Sequence, residues 1–546
     1  MFFRVFVRIS NICSKFSGMN VESLSNEAYS AKRGFSTNVQ ADASQEILYE
    51  KAIATLNTIQ TVKKAEVGGL LTDEKKFAEI KSLPVNHLDK LAAIHVAGTK
   101  GKGSVCAFCE SIMRHSGYRT GFYSSPHIFE VRERMRVDGM PISKEKFANY
   151  FFECWENFEM EKKRYYKTFL VNMAFHVFLK EKVDVTVVEV GCGGEYDATN
   201  ILRHPVVCGI TLLDKDHLKS LGGTVESIAW HKSGIFKPGV PAFTFPQNSA
   251  SMKVLMERAE EKKISLKVVP DFISKISDGS LPVLGIEGKH QNQNASLALH
   301  LCRTWIKRRN EANEATETQK EVKSSCETES PYAEEFPLPE SFKEGLAKVF
   351  WPGRTQCVER DDITFYLDGA HTRKSIEACT EWFCEKSRME KLKKSHKKIA
   401  KILIFNFKGE RNARSLIQPL VQCDFDYVIF CPNLLQDGTQ LTTSDTYSFY
   451  TDKEKEKKKC HEIQDIWREV LSFHKHSDVS PIHTSELNSR VFTCVSDAFH
   501  WVVDNQNDPG SSLRNVIGGV EHVQVFVTGS LLLVSLVLQL LEAVEV

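Results

Sequence analysis

Two lysines inside a glycine-rich decapeptide, residues 95 to 104 (His-Val-Ala-Gly-Thr-Lys-Gly-Lys-Gly-Ser), are the side chains of this sequence best placed to grip phosphate. Gly98, Gly101 and Gly103 permit positive φ, so successive backbone N–H groups can converge on phosphate oxygens, and Lys102 adds a point charge. The spacing departs from the general P-loop rule of four residues between the first glycine and the Gly-Lys pair, because only two separate Gly98 from Gly101. A tight turn with chance lysines is the competing reading. Three more segments carry potential metal ligands: Ser125 in Tyr-Ser-Ser-Pro-His (123 to 127), Glu189 at the close of an apolar run, and His217 in Leu-Asp-Lys-Asp-His (213 to 217). A hydroxyl, a carboxylate and an imidazole can share magnesium with a nucleotide's phosphates and water. Singly, each also fits a plain structural role, and Asp214 and Asp216 are equal candidates to orient His217.

The surrounding pattern predicts where these residues sit. Leu91 to Val96 reads as a buried strand, and Val105, Phe108, Cys109 and Ile112 mark one face of a helix that Gly117 ends. The loop would then feed the positive end of a helix dipole. Short runs rich in Val and Ile recur at 185–190, 206–213, 402–405, 427–430 and 523–527, the mark of parallel strands covered on both faces. The expected fold class is α/β, in two domains: a nucleotide-binding domain over 44–355 with a mainly parallel sheet, and a second α/β domain over 356–546. Polar stretches at 308–335 and 451–459 read as solvated, disordered loop insertions. Thr224 is a candidate N-cap, and Gly234 a candidate stop, for a helix that carries Lys232 in its last turn. From spacing alone, Lys232 simply complements the negative end of that helix.

A net charge of +1, from 71 basic and 70 acidic residues, argues against a nucleic-acid or acidic-surface partner, so partners must be inferred from sites. Fifteen cysteines lack a repeating spacing and suggest reduced thiols, and Cys106-Ala-Phe-Cys109 fits a buried helix face better than a redox or zinc site. The first 35 residues, with Arg4, Arg8 and Lys15 and no acid before Glu22, read as a mitochondrial targeting segment ending near Arg33-Gly34-Phe35-Ser36. Met19 could begin a shorter cytosolic form. The apolar stretch 525–541 is interrupted by Thr528, Gly529, Ser530, Ser535 and Gln539, which predicts a strand, a turn and a core helix, with no membrane span.

As an ordered set, these motifs resemble the folylpolyglutamate synthase family. They are Gly-Thr-Lys-Gly-Lys-Gly-Ser (98–104), Ser-Ser-Pro-His (124–127), Val-Glu-Val-Gly-Cys-Gly-Gly (188–194), Ile-Ala-Trp-His-Lys-Ser-Gly-Ile-Phe-Lys (228–237), Trp-Pro-Gly-Arg-Thr-Gln (351–356) and Asp-Gly-Ala-His (368–371). The resemblance runs from about residue 48 to Thr528-Gly529-Ser530, and the segments at 405–406 and 430–434 look like its eukaryotic branch. It implies a Mur-ligase architecture: an N-terminal P-loop domain and a C-terminal Rossmann-like domain holding nucleotide between them. It further implies ATP contacts from Gly98, Thr99, Lys100, Gly101, Lys102, Gly103, Ser104, Asn294, Arg354 and Asp368. Magnesium ligands would be Ser125, Glu189 and His217, with two ions in all and a monovalent cation such as K+ alongside.

Lys232 matches a lysine that this family carbamylates, while His371 could touch phosphate or glutamate, or form a domain-interface hydrogen bond. One departure from the family is Leu221-Gly222-Gly223-Thr224, where Leu-Gly-Asp-Thr is common. The implied reaction joins L-glutamate to the γ-carboxylate of a reduced folate through an acyl phosphate, releasing ADP. The implied protein is a monomer of the mitochondrial matrix, with no nucleic-acid partner, no integral membrane segment and at most an inner-membrane association. Two rivals stand beside it. One is a bifunctional enzyme that also glutamylates dihydropteroate, and the other is a P-loop module without ligase activity; a GTPase-type switch would carry an Asn-Lys-x-Asp motif, which is absent.

Overall fold

The computed structural model describes residues 45–59, 88–158, 165–218, 220–270, 282–318, 330–409, 411–436, 453–475, 488–504, 513 and 517–544. The targeting segment and Met19 lie outside these residues.

Strands β1 (Ala93–Ala97), β2 (Thr120–Tyr123), β3 (Met135–Val137), β4 (Met140–Pro141), β5 (Val185–Glu189), β6 (Val207–Ile210), β7 (Ala242–Thr244) and β8 (Leu266–Val268) build the first sheet, in the order β4-β3-β2-β5-β1-β6-β7-β8. All pairs are parallel except the β2-β3-β4 edge. The second sheet comprises β9 (Gln356–Arg360), β10 (Ile363–Leu367), β11 (Ile399–Phe405), β12 (Tyr427–Phe430), β13 (Ser489–Val491) and β14 (His522–Thr528). Its order is β13-β12-β11-β14-β10-β9, with only β9 antiparallel. The expected α/β class therefore holds, and every long Val/Ile run became a strand.

Helices cover the faces. Those longer than one and a half turns are α1 (45–59), α2 (Lys102–His115), α3 (Lys144–Asn157), α4 (Tyr166–Lys180), α5 (Val225–Ser233), α6 (Ser249–Glu261), α7 (Gln291–Thr318), α8 (Glu340–Lys348), α9 (Arg373–Lys393), α10 (Lys453–Lys475), α11 (Val495–Val503) and α12 (Leu531–Val544), with a short helix at Ala413–Ile417 besides. On α2, Val105, Cys106, Phe108, Cys109 and Ile112 are fully buried, so the Cys-x-x-Cys pair is core, and burial raises both thiols far above the usual range. The stretch 525–541 folds as expected into the end of β14, a turn at Gly529 and α12. No described helix is long and apolar enough to cross a membrane.

Both polar insertions need correction. Residues 308–318 continue α7, and beyond 319–329, which are not described, Val268 N–H donates to Pro331 O at 2.8 Å while Ala333 N–H donates to Val268 O at 2.9 Å. Likewise 453–459 open α10. Lys, Glu, Arg and Gln are strong helix formers, so a polar composition argued against burial without arguing against helix.

One core polar group makes a measurable prediction. His95, in the middle of β1, is fully buried; its Nε2 lies 3.0 Å from Thr199 Oγ1, whose proton goes to Asp197 Oδ1 at 2.7 Å. Nε2–H must therefore be the donor, leaving Nδ1 without a partner among the described residues. Burial, helped by the Lys237 charge, pushes the imidazole from 6.5 down to about 3. Between those values the unfolded chain takes a proton that the folded chain refuses, so this contribution to stability is complete above pH 6.5 and falls as the pH drops. Urea melts should show about 2 kcal/mol less acid loss between pH 7 and pH 5 in His95→Asn than in the parent. Parallel losses in both proteins would refute this assignment.

Candidate active site

Strand order explains why distant segments meet. β1 lies between β5 and β6, with β2 beyond β5, so the chain leaving β1 at Gly98, β2 at Ser125, β5 at Glu189 and β6 at Asp214 emerges along one edge of the sheet. Connections on either side of β1 run in opposite directions, and ligands of open α/β sheets gather at such a point.

The three glycines of the loop do different work. A Cβ on Gly98 would fall 1.7 Å from Thr211 Oγ1, so the loop can cross the end of β6 only without a side chain. Gly101, at φ +88°, is the N-cap of α2, and a Cβ there would meet Asn294 Oδ1 at 2.3 Å. Gly103 corrects the expectation: it lies inside α2 without positive φ, and its missing side chain leaves room for Trp351 Nε1, which a Cβ would approach to 3.2 Å. Gly98→Ala should destabilise the chain by about 3 kcal/mol or more in urea unfolding, through overpacking and an unfavourable φ. A loss below about 1 kcal/mol would mean that β6 yields easily.

The loop's backbone also differs from the simple phosphate cradle. Thr99 and Lys100 N–H both donate to Leu212 O, at 2.9 and 3.1 Å, which pins the loop to the chain after β6. Those two N–H groups are therefore taken, whereas the first turn of α2, which begins at Lys102 and has no side-chain cap, has donors to offer phosphate. Lys100 turns away as well. Its Nζ donates to Asp216 Oδ2 at 2.9 Å and to His371 Nε2 at 3.1 Å, while His371 Nδ1–H donates to Gly369 O at 2.8 Å. Burial, then the Lys100 charge, push His371 down to about 3, consistent with a neutral ring that accepts from the ammonium. Lys100 thus joins the two sheets' loops.

Glu189 is 6% exposed, and its Oε2 accepts from Ser125 N–H at 3.0 Å. Burial raises this carboxyl while Lys102 and Arg354 oppose the rise, so both cations act on it. His217 sits at φ +51° and donates its N–H to Asp216 Oδ1 at 2.9 Å; Asp216, rather than Asp214, therefore fixes its backbone. Burial lowers the His217 imidazole, favouring the neutral ring that can offer a lone pair. Ser125 and His217 line one cavity of about 340 Å³, and Ser125 and Glu189 line a small adjoining one. Two oxygen donors and a neutral imidazole meeting at Ser125 fit a hard divalent cation whose other ligands are phosphate and water. Among the described residues no three His, Cys, Asp or Glu side chains form a metal cluster by themselves.

Lys232 departs most from its plain reading. It is 4% exposed, points inward from the last turn of α5, and donates to Gly98 O at 2.6 Å. Burial, with the Lys102 charge second, lowers its ammonium from 10.5 to about 7. Thr224 caps α5 together with Ser227, so the glycine at 223, which lies at φ +83°, costs the helix no cap. Gly234 follows α5 in a right-handed conformation and is required for closeness instead, since a Cβ would fall 2.3 Å from Glu195 Cα.

From the other side, Arg354 lines the small cavity with Gly103 and Glu189. Asp368 is committed to backbone: its carboxylate accepts from Thr355 N–H at 2.9 Å and Ala370 N–H at 2.8 Å, holding the turn that presents Arg354. Asn294 is buried against Gly101 and donates to Gln291 Oε1 at 2.7 Å. Sequence reasoning missed Arg134, Lys167, Lys408, Arg411 and Ser530, which line the 340 Å³ cavity beside His371. They come from four separate segments, Lys408 and Arg411 sharing the loop after β11, and no spacing rule could have joined them.

No family model matches the chain. The mitochondrial folylpolyglutamate synthase of Cricetulus griseus is 38% identical over 544 residues, covering 90% of this chain and 92% of the relative. The chain belongs to the folylpolyglutamate synthase family. The Homo sapiens mitochondrial enzyme is likewise 38% identical, over 562 residues and 94% of each chain. Among solved structures, the Mycobacterium tuberculosis folylpolyglutamate synthase complexed with ADP has a TM-score of 0.64 at 20% identity, covering 90% of this chain and 98% of its own. Escherichia coli FolC in complex with DHPP and ADP gives 0.55 at 21% identity, covering 87% and 99%. These two likenesses carry the two-sheet fold of the family.

Proposed function

We propose that this chain is an ATP-dependent ligase that adds L-glutamate to the γ-carboxylate of a reduced folylpolyglutamate, through an acyl phosphate and with release of ADP. The observation that carries the reading is a junction at Ser125. On one side stand Lys102 at the start of α2, Glu189 and Arg354, and on the other a cavity carries four cationic side chains, Arg134, Lys167, Lys408 and Arg411. A phosphate grip beside a cationic cavity suits a substrate that is itself a string of carboxylates.

A carboxylate and an amine do not condense unaided near neutrality because the leaving group is poor. The folate carboxylate attacks the γ-phosphorus, the bond to the ADP oxygen breaks, and the glutamate amine then displaces phosphate from the acyl carbon. Lys102 and the first-turn N–H groups of α2 hold the transferring phosphoryl group, while Arg354 adds charge from the second domain. Lys100, held by Asp216 and His371, keeps that domain docked. Ser125, Glu189 and His217 would hold magnesium, which when bound shields the charge between carboxylate and γ-phosphate. The Lys232 amine, neutral in part near pH 7, can take up CO2 as a carbamate whose oxygens would serve a second ion; a monovalent cation such as K+ belongs to the same scheme.

The proposed domains are 44–355 and 356–546, the second starting with β9, with Gly98, Thr99, Gly101 to Ser104, Asn294 and Arg354 grouped around ATP, Lys100 docking the second domain and Asp368 holding the turn that presents Arg354. Names of the Cricetulus griseus and Homo sapiens relatives support a mitochondrial destination, with a monomer and a cytosolic form from Met19 as further parts of the proposal.

The test supplies purified protein with Mg-ATP, L-glutamate and either tetrahydrofolate or dihydropteroate, and follows ADP release and product mass. A glutamate ladder on tetrahydrofolate alone is the expected result. Glutamylation of dihydropteroate as well would identify a bifunctional enzyme, and absence of ADP release with both acceptors would leave only a nucleotide-binding module.

A further inference from the structure

Away from the cleft, two cysteines on separate elements meet. Sγ of Cys384, on α9, lies 3.2 Å from Sγ of Cys423, which ends the 3-10 turn Val421–Cys423. A disulfide holds its sulfurs ~2.05 Å apart, so bonding requires an approach of roughly 1.2 Å. Cys384 is half-buried, within reach of a small solute, while Cys423 is buried beneath it. The two thiols share a hydrogen bond in which either sulfur can donate; this bond, and then the nearby Lys401 ammonium, hold the Cys384 thiol below its usual range, while the same bond and burial raise that of Cys423. Lys401 Nζ is anchored on the Cys423 carbonyl oxygen. The outer sulfur is thus the nucleophile and the inner one its resolving partner. Cys109 and Cys302 are also neighbours, but both are completely buried, so proximity there comes without access.

We propose that Cys384 and Cys423 form a reversible dithiol–disulfide site that ties α9 to the Val421–Cys423 turn when the chain meets an oxidising low-molecular-weight disulfide. The Cys384 thiolate attacks one sulfur of the small disulfide, whose S–S bond breaks and expels a thiolate. Cys423 then gives its proton to solvent and attacks Cys384 Sγ, expelling the second half as thiolate. Two cysteine sulfurs lose two electrons in all, and one small disulfide becomes two small thiols.

The position gives the bond a consequence. Next to Cys384 on α9, Trp382 Nε1 donates to Glu287 Oε2 at 3.0 Å, Lys386 pairs with Glu287, and Glu381 pairs with Lys289. α9 also begins two residues after His371, which holds Lys100. A covalent tie to α9 therefore acts on the helix that joins the C-terminal domain to the segment leading into α7.

The experiment incubates the folded full-length protein with glutathione disulfide, traps free thiols with iodoacetamide and maps peptides by mass spectrometry. The expected product is a Cys384–Cys423 cross-linked peptide 2 Da lighter than the two reduced peptides, lost again on dithiothreitol treatment. A rise in thermal midpoint should accompany it, because the bond closes a 39-residue separation. Cys384→Ser should show neither the cross-link nor the rise while keeping its basal ligase rate. Glutathione found on Cys384 without a cross-link, or on exposed Cys357 alone, would overturn the proposal.

Discussion

Replacing Lys102 by Ala should lower kcat for glutamate addition by roughly 10³-fold or more while leaving the thermal midpoint within a few degrees of the parent. Lys102 opens α2, a position where Ala is an excellent helix former, so the fold has little to lose. Its charge is felt by Glu189, by Lys232 and by Lys100, which places it at the electrostatic centre of the cleft. Lys100→Ala provides the contrast. That ammonium is spent on Asp216 and His371, so its loss should loosen the docking of the two domains and act mainly on KM. Steady-state kinetics with ATP and tetrahydrofolate separate the two. A Lys102→Ala enzyme that keeps a tenth of its kcat would remove this lysine from the phosphoryl-transfer step.

Lys232→Met should abolish ligation and yet stabilise the folded protein at pH 7, an unusual pairing for a buried position. The wild-type amine donates to Gly98 O at 2.6 Å, and burial brings its value from 10.5 to about 7. Between those two values the unfolded chain holds a proton that the folded chain lacks, so wild-type stability rises with pH through this window, and below it the full penalty of a buried ammonium is present. Removing the amine should recover stability on the order of a few kcal/mol at pH 7 and flatten the dependence up to about pH 10. Urea melts of both proteins in CO2-free buffer would measure it. Added bicarbonate should raise the midpoint of the wild type only. If Lys232→Met proves less stable than the parent at pH 7, the amine contributes packing or hydrogen bonding that outweighs its desolvation.

Much of this molecule could be read from residue types alone, because the relevant physics is local. Val- and Ile-rich runs buried on both faces specify parallel strands, a glycine without Cβ specifies a tight crossing, and helix period specifies α2. The position of the glycine loop after β1, and of the segments carrying Ser125, Glu189 and His217 after neighbouring strands, followed from those rules. Failures were local too: 308–318 and 453–459 are helical, because charge says little about backbone conformation. Tertiary structure alone decided which way long side chains point and what surrounds them. It turned Lys232 from a helix-end cation into a buried amine, tied Lys100 to Asp216 and His371, and gathered Arg134, Lys167, Lys408 and Arg411 around one cavity. Proton affinity and juxtaposition depend on burial and on neighbours hundreds of residues away, and those exist only once the sheets have packed.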